Sequence, residues 1–314
     1  MMATITTGPD PVRDRAAAPS VADQESRYAR DIIAVHDRMS YRRLPDEIAG
    51  DPLHVHESGD GLLTVAARDS QLPRRYLLGL LGFRLAQYLR LGWMSERVAY
   101  QDALFHEPLR PGTGQEDIHV VSLCMASGRI RGYMALAGSR DRRPLPLDAP
   151  ERTRLVAEHD HRVDLLGPYA ARGWTTHHVY ETKRLLRDQT MPRGPEHVRV
   201  PWHVLMASGR VAMALDRSLP RLLLAGDAKD TGALRHLRLL GLRLDVVGST
   251  SPWLPDTDLL WPLFATSRPP KPFVGRLGTD FGRRMDVIGT FLSRPPGSES
   301  VGGLVRELSK GTAI

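Results

Sequence analysis

The chain holds a single cysteine, Cys124, among 314 residues. One thiol excludes an intramolecular disulfide and any cysteine-cluster metal site. Lysine is almost as scarce. Of 43 Lys and Arg residues only Lys183, Lys229, Lys271 and Lys310 are lysines. No apolar run reaches the roughly 18–20 residues that cross a bilayer. Met1–Ser20 is polar and rich in Pro and Ala, with no basic start leading into an apolar block, so no secretory signal is visible. The expectation is a soluble, cytoplasmic protein with no membrane partner. There is no Walker-type phosphate loop and no Gly-x-Gly-x-x-Gly. Ser208-Gly209-Arg210 is not a Gly-x-Ser-x-Gly elbow. No internal repeat is apparent.

What is present suffices for a globular fold. Apolar residues make up 41% and charged residues 25%, enough to bury a core and solvate a surface. The formal net charge is +7. Guanidinium forks suit phosphate and carboxylate. A basic surface favours polyanionic partners such as CoA, an acidic carrier protein or a nucleic acid. A compositional habit would give the same bias.

Residues 1–23 read as a disordered leader with Pro9, Pro11 and Pro19. A helix is expected from Gln24 to about Leu44, stopped by Pro45. Leu53–Glu57 and Leu62–Ala66 flank Ser58-Gly-Asp-Gly61 as a hairpin, and Tyr76–Leu91 is a long apolar helix. Pro108–Glu116 is a loop. His119–Ala126 and Ile130–Ala137 form a second hairpin around Ser127-Gly128. A helix over Glu151–Leu166, a strand over His177–Leu186, a helix over Val198–Leu215, a strand over Arg221–Ala225 and a helix over Thr231–Leu240 follow. Arg243–Gly248 and Leu259–Phe264 read as late strands, and the chain beyond Phe273 as a Pro/Gly-rich, polar tail. The order is that of an α/β protein with a mixed sheet, antiparallel early and joined by crossovers later. The expected division is a leader (1–23), a helical arm with the start of a hairpin (24–61), a main domain (62–275) and a C-terminal tail (276–314).

Three segments belong together: Arg84-Leu-Ala-Gln-Tyr88-Leu-Arg-Leu-Gly92-Trp93, the hairpin end Gly132-Tyr-Met-Ala135-Leu136, and Glu181-Thr-Lys-Arg184-Leu-Leu-Arg187. Here the chain resembles the autoinducer (acyl-homoserine-lactone) synthase and N-acyl amino acid synthase branch of the GNAT acyltransferases. In that branch an Arg, an aromatic and a Gly-Trp sit on an early helix. A strand pair then ends in Gly-x-x-Arg-Leu, and a Glu-x-Ser-Arg strand enters a helix. Arg84, Tyr88 and Gly92-Trp93 match the first element. Glu181 and Arg184 match the last, with Lys183 in place of Ser, and Ala135 stands where the family has Arg. The similarity covers roughly residues 76–265.

The resemblance implies a GNAT-like, mostly antiparallel central sheet flanked by helices. It implies an N-acyltransferase working on a thioester, acyl-CoA or the phosphopantetheine of an acyl carrier protein, as co-substrate rather than as a resident cofactor. The acceptor would be the amine of a small molecule or amino acid, in signal or natural-product synthesis. The missing Arg at Ala135 argues against a homoserine-lactone product. The family's Glu strand carries a bulge, which frees backbone amides for the thioester. Acidic residues after the Trp grip the acceptor, and here Asp102, Glu107, Glu116 and Asp117 are the candidates, with Asp102 taken first.

The residues themselves support parts of this. Glu is disfavoured inside a strand unless exposed or functional, so Glu181 is the candidate to handle the amine proton, directly or through water. Arg184 could clamp a substrate carboxylate. Regular alternation would set Glu181 and Arg184 on opposite faces, and a bulge would re-aim the chain. Arg84, Tyr88 and Trp93 would line the acceptor pocket. Leu185, Leu186, Arg187, Arg193 and Gly194, between that strand and the next helix, would hold the pantetheine phosphates at a helix N-terminus, with Arg199 adding charge. Plainer roles are open for each: Glu181 and Lys183 as solvated charges on an edge strand, Arg184 in an ion pair with Asp188 or Glu181, and Arg84 and Trp93 as helix packing. The pairs His54/His56, His159/His161 and His177/His178 lack a third ligand, so no metal is expected. Cys124 reads as a structural thiol.

Two other functions compete. Aminoacyl-tRNA could serve as donor on the same fold, given the arginine-rich stretches Arg129–Arg143 and Arg235–Arg243. A binding protein could have kept the fold without catalysis, given Ala135 and Lys183.

Overall fold

The computed structural model describes residues 20–109, 114–218, 222–229, 232–248, 250 and 252–310. The leader over residues 1–19, part of the Pro108–Glu116 loop, Arg221 and Thr231 lie outside the described residues.

Eight strands form one sheet: β1 (His54–Glu57), β2 (Leu62–Arg68), β3 (Ile118–Cys124), β4 (Arg129–Ala137), β5 (Val179–Arg187), β6 (Leu223–Ala228), β7 (Leu242–Val246) and β8 (Lys271–Leu277). Their order is β1-β2-β3-β4-β5-β6-β8-β7. Among the described residues the only parallel neighbours are β5 and β6; every other pair is antiparallel. The expected mixed, mostly antiparallel α/β sheet flanked by helices is therefore the fold that forms.

The helices are α1 (Val21–His36), α2 (Leu44–Glu47), α3 (Arg74–Arg90), α4 (Glu96–Gln101), α5 (Val156–His161), α6 (Gly167–Ala170), α7 (Pro195–Ser218), α8 (Ala233–Leu239), α9 (Trp261–Phe264), α10 (Phe281–Ser293) and α11 (Val301–Ser309). One face of the sheet packs α7, α8, α10 and α11 around Trp202, Leu205, Phe273, Met285 and Leu304. The other face packs α1 and α3 over the early strands through Ile32, Leu80, Leu85, Val121 and Tyr133. On that second face, α5 and α6 cover the later strands through Leu147, Leu166, Tyr169, Leu223 and Val274. No described helix is long and apolar enough to cross a membrane.

The structure departs from the sequence reading at several places. The first helix starts at Val21, behind a Ser20–Asp23 capping box, and ends at His36. Residues 24–61 are not set apart, because β1 joins the main sheet through β2. The helix expected over Glu151–Leu166 is the shorter α5, ended by Arg162 at φ +51°, with α6 beyond it. Leu259–Phe264 is no strand: α9 forms there, with Pro262 in its first turn. The tail is structured. Residues 276–310 finish β8 and then form α10 and α11, whose Met285, Ile288, Phe291, Leu292, Leu304 and Leu308 are all buried.

A buried charge group ties two ends of this chain together. Arg199, at the start of α7, meets Asp60 at 3.1 Å and donates to the carbonyls of Leu292 and Arg294. It is 2% exposed, so it is not part of a phosphate-binding surface.

Candidate functional site

β5 and β6 pair over only three positions, Val179↔Leu223, Tyr180↔Leu224 and Glu181↔Ala225. β5 continues to Arg187 and β6 to Ala228, so the two strands part beyond Glu181 and Ala225. Gly226 sits where they diverge. A Cβ there would lie 2.8 Å from the Thr182 hydroxyl and 2.9 Å from its carbonyl oxygen, so only glycine fits the approach. The gap opens into a cleft of about 360 Å³. Tyr88 and Trp93 wall it from the α3 side, Val156 and Asp160 from α5, and Leu260, Leu263 and Phe264 from the α9 region. Asp227, Lys229 and Gly232 close the far end. A second cavity of about 290 Å³ adjoins it and shares Val156 and Glu181.

The bulge expected in the Glu strand is there. Ala135 pairs with Lys183 and Tyr133 with Leu186, so Arg184 and Leu185 together face Met134. Arg184 takes φ +63°, a left-handed conformation that costs a non-glycine residue about 1–3 kcal/mol. The extra residue resets the alternation. Glu181, Lys183 and Arg184 all reach the α3–α5 face, while Thr182 and Leu185 turn toward α7 and α8. A regular strand would have separated Glu181 from Arg184.

Arg184 is held from two sides. Its guanidinium lies 4.9 Å over the Tyr88 ring and 3.3 Å from Glu107. Glu107 also receives the fork of Arg84, with Nε at 3.1 Å. Burial works against ionising Glu107, but Arg184 and Arg84 outweigh it and hold its carboxyl below the usual range. Neither Asp188 nor Glu181 is the partner of Arg184. Asp188 pairs with Arg131. Among the four acidic candidates for the acceptor site, the structure brings Glu107 to this cluster. Asp102 caps α4, is exposed, and takes no part in it. Arg84 anchors Glu107 and borders a small neighbouring cavity rather than the cleft itself. Tyr88 and Trp93 meet edge to face at 5.5 Å, and the Trp93 ring carries Lys229 at 5.2 Å.

Glu181 is 5% exposed in mid-sheet, not a solvated edge charge. Its two carboxylate oxygens accept the backbone N–H groups of Ala157 (2.8 Å) and Val156 (3.2 Å) at the start of α5. Lys183 stands 2.9 Å away. The small Ala135 lies directly opposite Lys183 in the ladder, and both border the same minor cavity. Lys183 thus brings a positive charge into the space that a long side chain at 135 would fill. Glu181→Gln should lower unfolding stability by about 1.5–3 kcal/mol, because an amide cannot replace a carboxylate facing a lysine and two amide N–H groups. Denaturant unfolding of the variant checks this; an unchanged midpoint would contradict it.

The expected donor-binding residues scatter more. Leu185 lines the cleft, whereas Leu186 is buried against the α3 side. Arg187 ends β5 with its guanidinium near the His197 carbonyl, and Arg193 and Gly194 are exposed just before α7. Burial lowers the Arg187 pKa. Sequence reasoning missed Asp160 and Asp227, which enter the cleft from elements far away in the chain. Neither carries a local motif. Among the described residues no group of His, Cys, Asp and Glu is arranged to hold a metal ion.

No family model matches the chain, and no curated protein does. Solved structures do. A CoA-dependent acyl-homoserine lactone synthase, BjaI, with SAM and isopentyl-CoA, is 14% identical over 76% of this chain and 95% of its own, with a TM-score of 0.38. A second such synthase, MesI, is 16% identical over 70% and 94%, with a TM-score of 0.32. A GCN5-related N-acetyltransferase from Brucella melitensis is 10% identical over 84% and 97%, with a TM-score of 0.39.

Proposed function

We propose that the chain is an N-acyltransferase. It moves an acyl group from a pantetheine thioester, on CoA or on an acyl carrier protein, to the amine of a small molecule. The observation that carries this is the gap between β5 and β6. Past Glu181↔Ala225 the facing edges of the two strands no longer pair with each other. Backbone N–H and C=O groups on such edges call for partners. An extended arm with its own amides, as pantetheine is, fits between them as a short strand would. The Arg184 bulge adds a second local break in the ladder at the same level.

The remaining residues take supporting roles. Arg184, fixed by Glu107 and Tyr88, orients the acceptor. Trp93 and Tyr88 give the cleft an aromatic wall. Arg187, Arg193 and the start of α7 face the phosphate end of the donor. Glu181 positions α5 and Lys183 around the reacting centre. With Ala135 in place of an arginine, an amide product other than a homoserine lactone is favoured.

The aminoacyl-tRNA alternative draws less support. In the arginine-rich stretch 129–143, Arg129 pairs with Asp37 and Asp188, Arg131 with Asp188 and Arg140 with Asp117. These pairs leave fewer guanidiniums for a polyanion. A thiol-release assay over acyl-CoAs and acyl carrier proteins, each with and without a panel of amines, tests the proposal. Free thiol that appears only when donor and amine are both present is the expected result. No amine-dependent release with any donor would leave the non-catalytic binding protein as the better account.

A further inference from the structure

We infer that Asp160, and not Glu181, takes the proton from the incoming amine, which enters the cleft as an ammonium ion. This rests on the transfer reaction proposed above and assigns its proton acceptor.

The first argument is occupancy. A general base needs a lone pair within reach of the proton it removes. Both oxygens of Glu181 already accept backbone N–H groups of α5, and Lys183 stands 2.9 Å off. Every one of these donors stabilises the carboxylate and takes up part of its capacity to accept a proton. Asp160 differs. It borders the same cleft and is 5% exposed. Its Oδ1 meets His159 Nδ1 at 3.1 Å, and among the described residues no hydrogen bond reaches Oδ2. A carboxylate oxygen that no protein donor reaches, at the wall of a cavity, is a place for a ligand's N–H.

The second argument is charge. Burial raises the Asp160 pKa first, and Asp227 on β6 and Glu181 on β5 raise it further, while His159 opposes them. A carboxyl moved up in this way is a stronger base when ionised. The other charged or titratable groups around it and at the cleft are His161, which meets Asp227 at 3.3 Å, Lys183, which is paired with Glu181, Arg184, which is paired with Glu107, and Lys229, which lies over the Trp93 ring. On the remaining side the backbone of Trp253 donates to the Asp160 carbonyl at 2.7 Å and fixes the chain. Asp160 and Asp227 therefore present two carboxylates to the cleft, and an ammonium relieves their repulsion. Two carboxylates of one site with separate environments take separate roles. Glu181 is the positioning residue and Asp160 the catalytic one.

The step balances. The ammonium gives one proton to Asp160 and becomes a neutral amine. Its lone pair forms the C–N bond at the thioester carbonyl carbon, and the carbonyl π pair moves to oxygen. That pair returns as the C–S bond breaks with its electrons on sulfur. A second N–H proton ends on the sulfur, giving amide and free thiol. The Asp160 carboxyl then loses its proton to water.

The test compares wild type, Asp160→Asn and Asp160→Glu for amine-dependent thiol release across pH 5–9, with thermal melts to check folding. Wild type should lose kcat/KM on the acid side as the base protonates. Asp160→Asn should melt near wild type, lose about 10²–10⁴-fold in kcat/KM and no longer show that acid limb. Asp160→Glu should recover part of the rate and restore an acid limb. A folded Asp160→Asn within about threefold of wild type, with its acid limb intact, overturns the assignment to Asp160 and leaves the transfer reaction standing. Wild type without amine-dependent release overturns the reaction itself, and this inference with it. Should Asp160→Asn fail to fold, an Asp160→Glu profile superimposing on wild type in rate and pH also overturns the assignment.

Discussion

Glu107→Ala lowers the unfolding free energy by about 3–5 kcal/mol, the cost of stranding buried charge. Glu107 is 5% exposed and is the shared counter-ion of two guanidiniums. Arg84 is itself 7% exposed, so water cannot take the place of the lost carboxylate. The loss spreads along the chain. Arg184 holds a left-handed backbone angle, and its side chain is kept there by Glu107 and the Tyr88 ring. Without Glu107 the bulge loses one of its two restraints, so the opening between β5 and β6 should loosen as well. Guanidinium chloride unfolding of wild type and variant measures the difference. A loss under about 1 kcal/mol would mean that the cluster is solvated, as surface pairs are.

A large effect on activity is expected from filling the cleft. Gly232 borders it, and a Cβ built there meets nothing within 4 Å. Gly232→Trp therefore adds a bulky ring to open space rather than to the core. Acyl transfer should fall by at least about 100-fold, since misplacing the reactants by even 1 Å costs that much. Stability should change by less than about 1 kcal/mol, as for surface substitutions. Most other bulky replacements along the cleft would disturb packed walls and confuse the two effects. A Gly232→Trp protein with normal turnover would move the reaction out of this cleft.

The sheet was legible from the sequence because its signals are local. Alternating apolar runs around Ser58–Gly61 and Ser127–Gly128 announce both hairpins, and each forms, the second with a register shift between Ser122 and Leu123. α3 and α7 are long and apolar-periodic, and both appear within a few residues of their expected bounds. The tail was missed because Pro and Gly flank it. Its buried positions, Met285, Ile288 and Leu292, do carry helical spacing. Leu259–Phe264 shows the ambiguity of a short apolar run, which Pro262 resolves toward a helical turn. The residues of the site divide in the same way. Glu181, Arg184, Tyr88 and Trp93 were visible through the pattern of three segments, and the structure gathers them around one cleft. The choice of Glu107 over Asp102, Glu116 and Asp117 depends on a contact across 77 residues. Asp160 lies in the long β4–β5 connection, residues 138–178, where the expected helix carries nothing that marks one acidic residue as facing the site. Only the docking of α5 against Glu181 brings it to the cleft.

Calorimetric titration of acyl-CoA into wild type and into Gly232→Trp bears most directly on the central claim, that the gap between β5 and β6 is the seat of the thioester. Saturable binding to wild type, abolished in the variant while its melting temperature holds, is the predicted result. Equal binding to both proteins, or none to wild type from either acyl-CoA or acyl carrier protein, would contradict it.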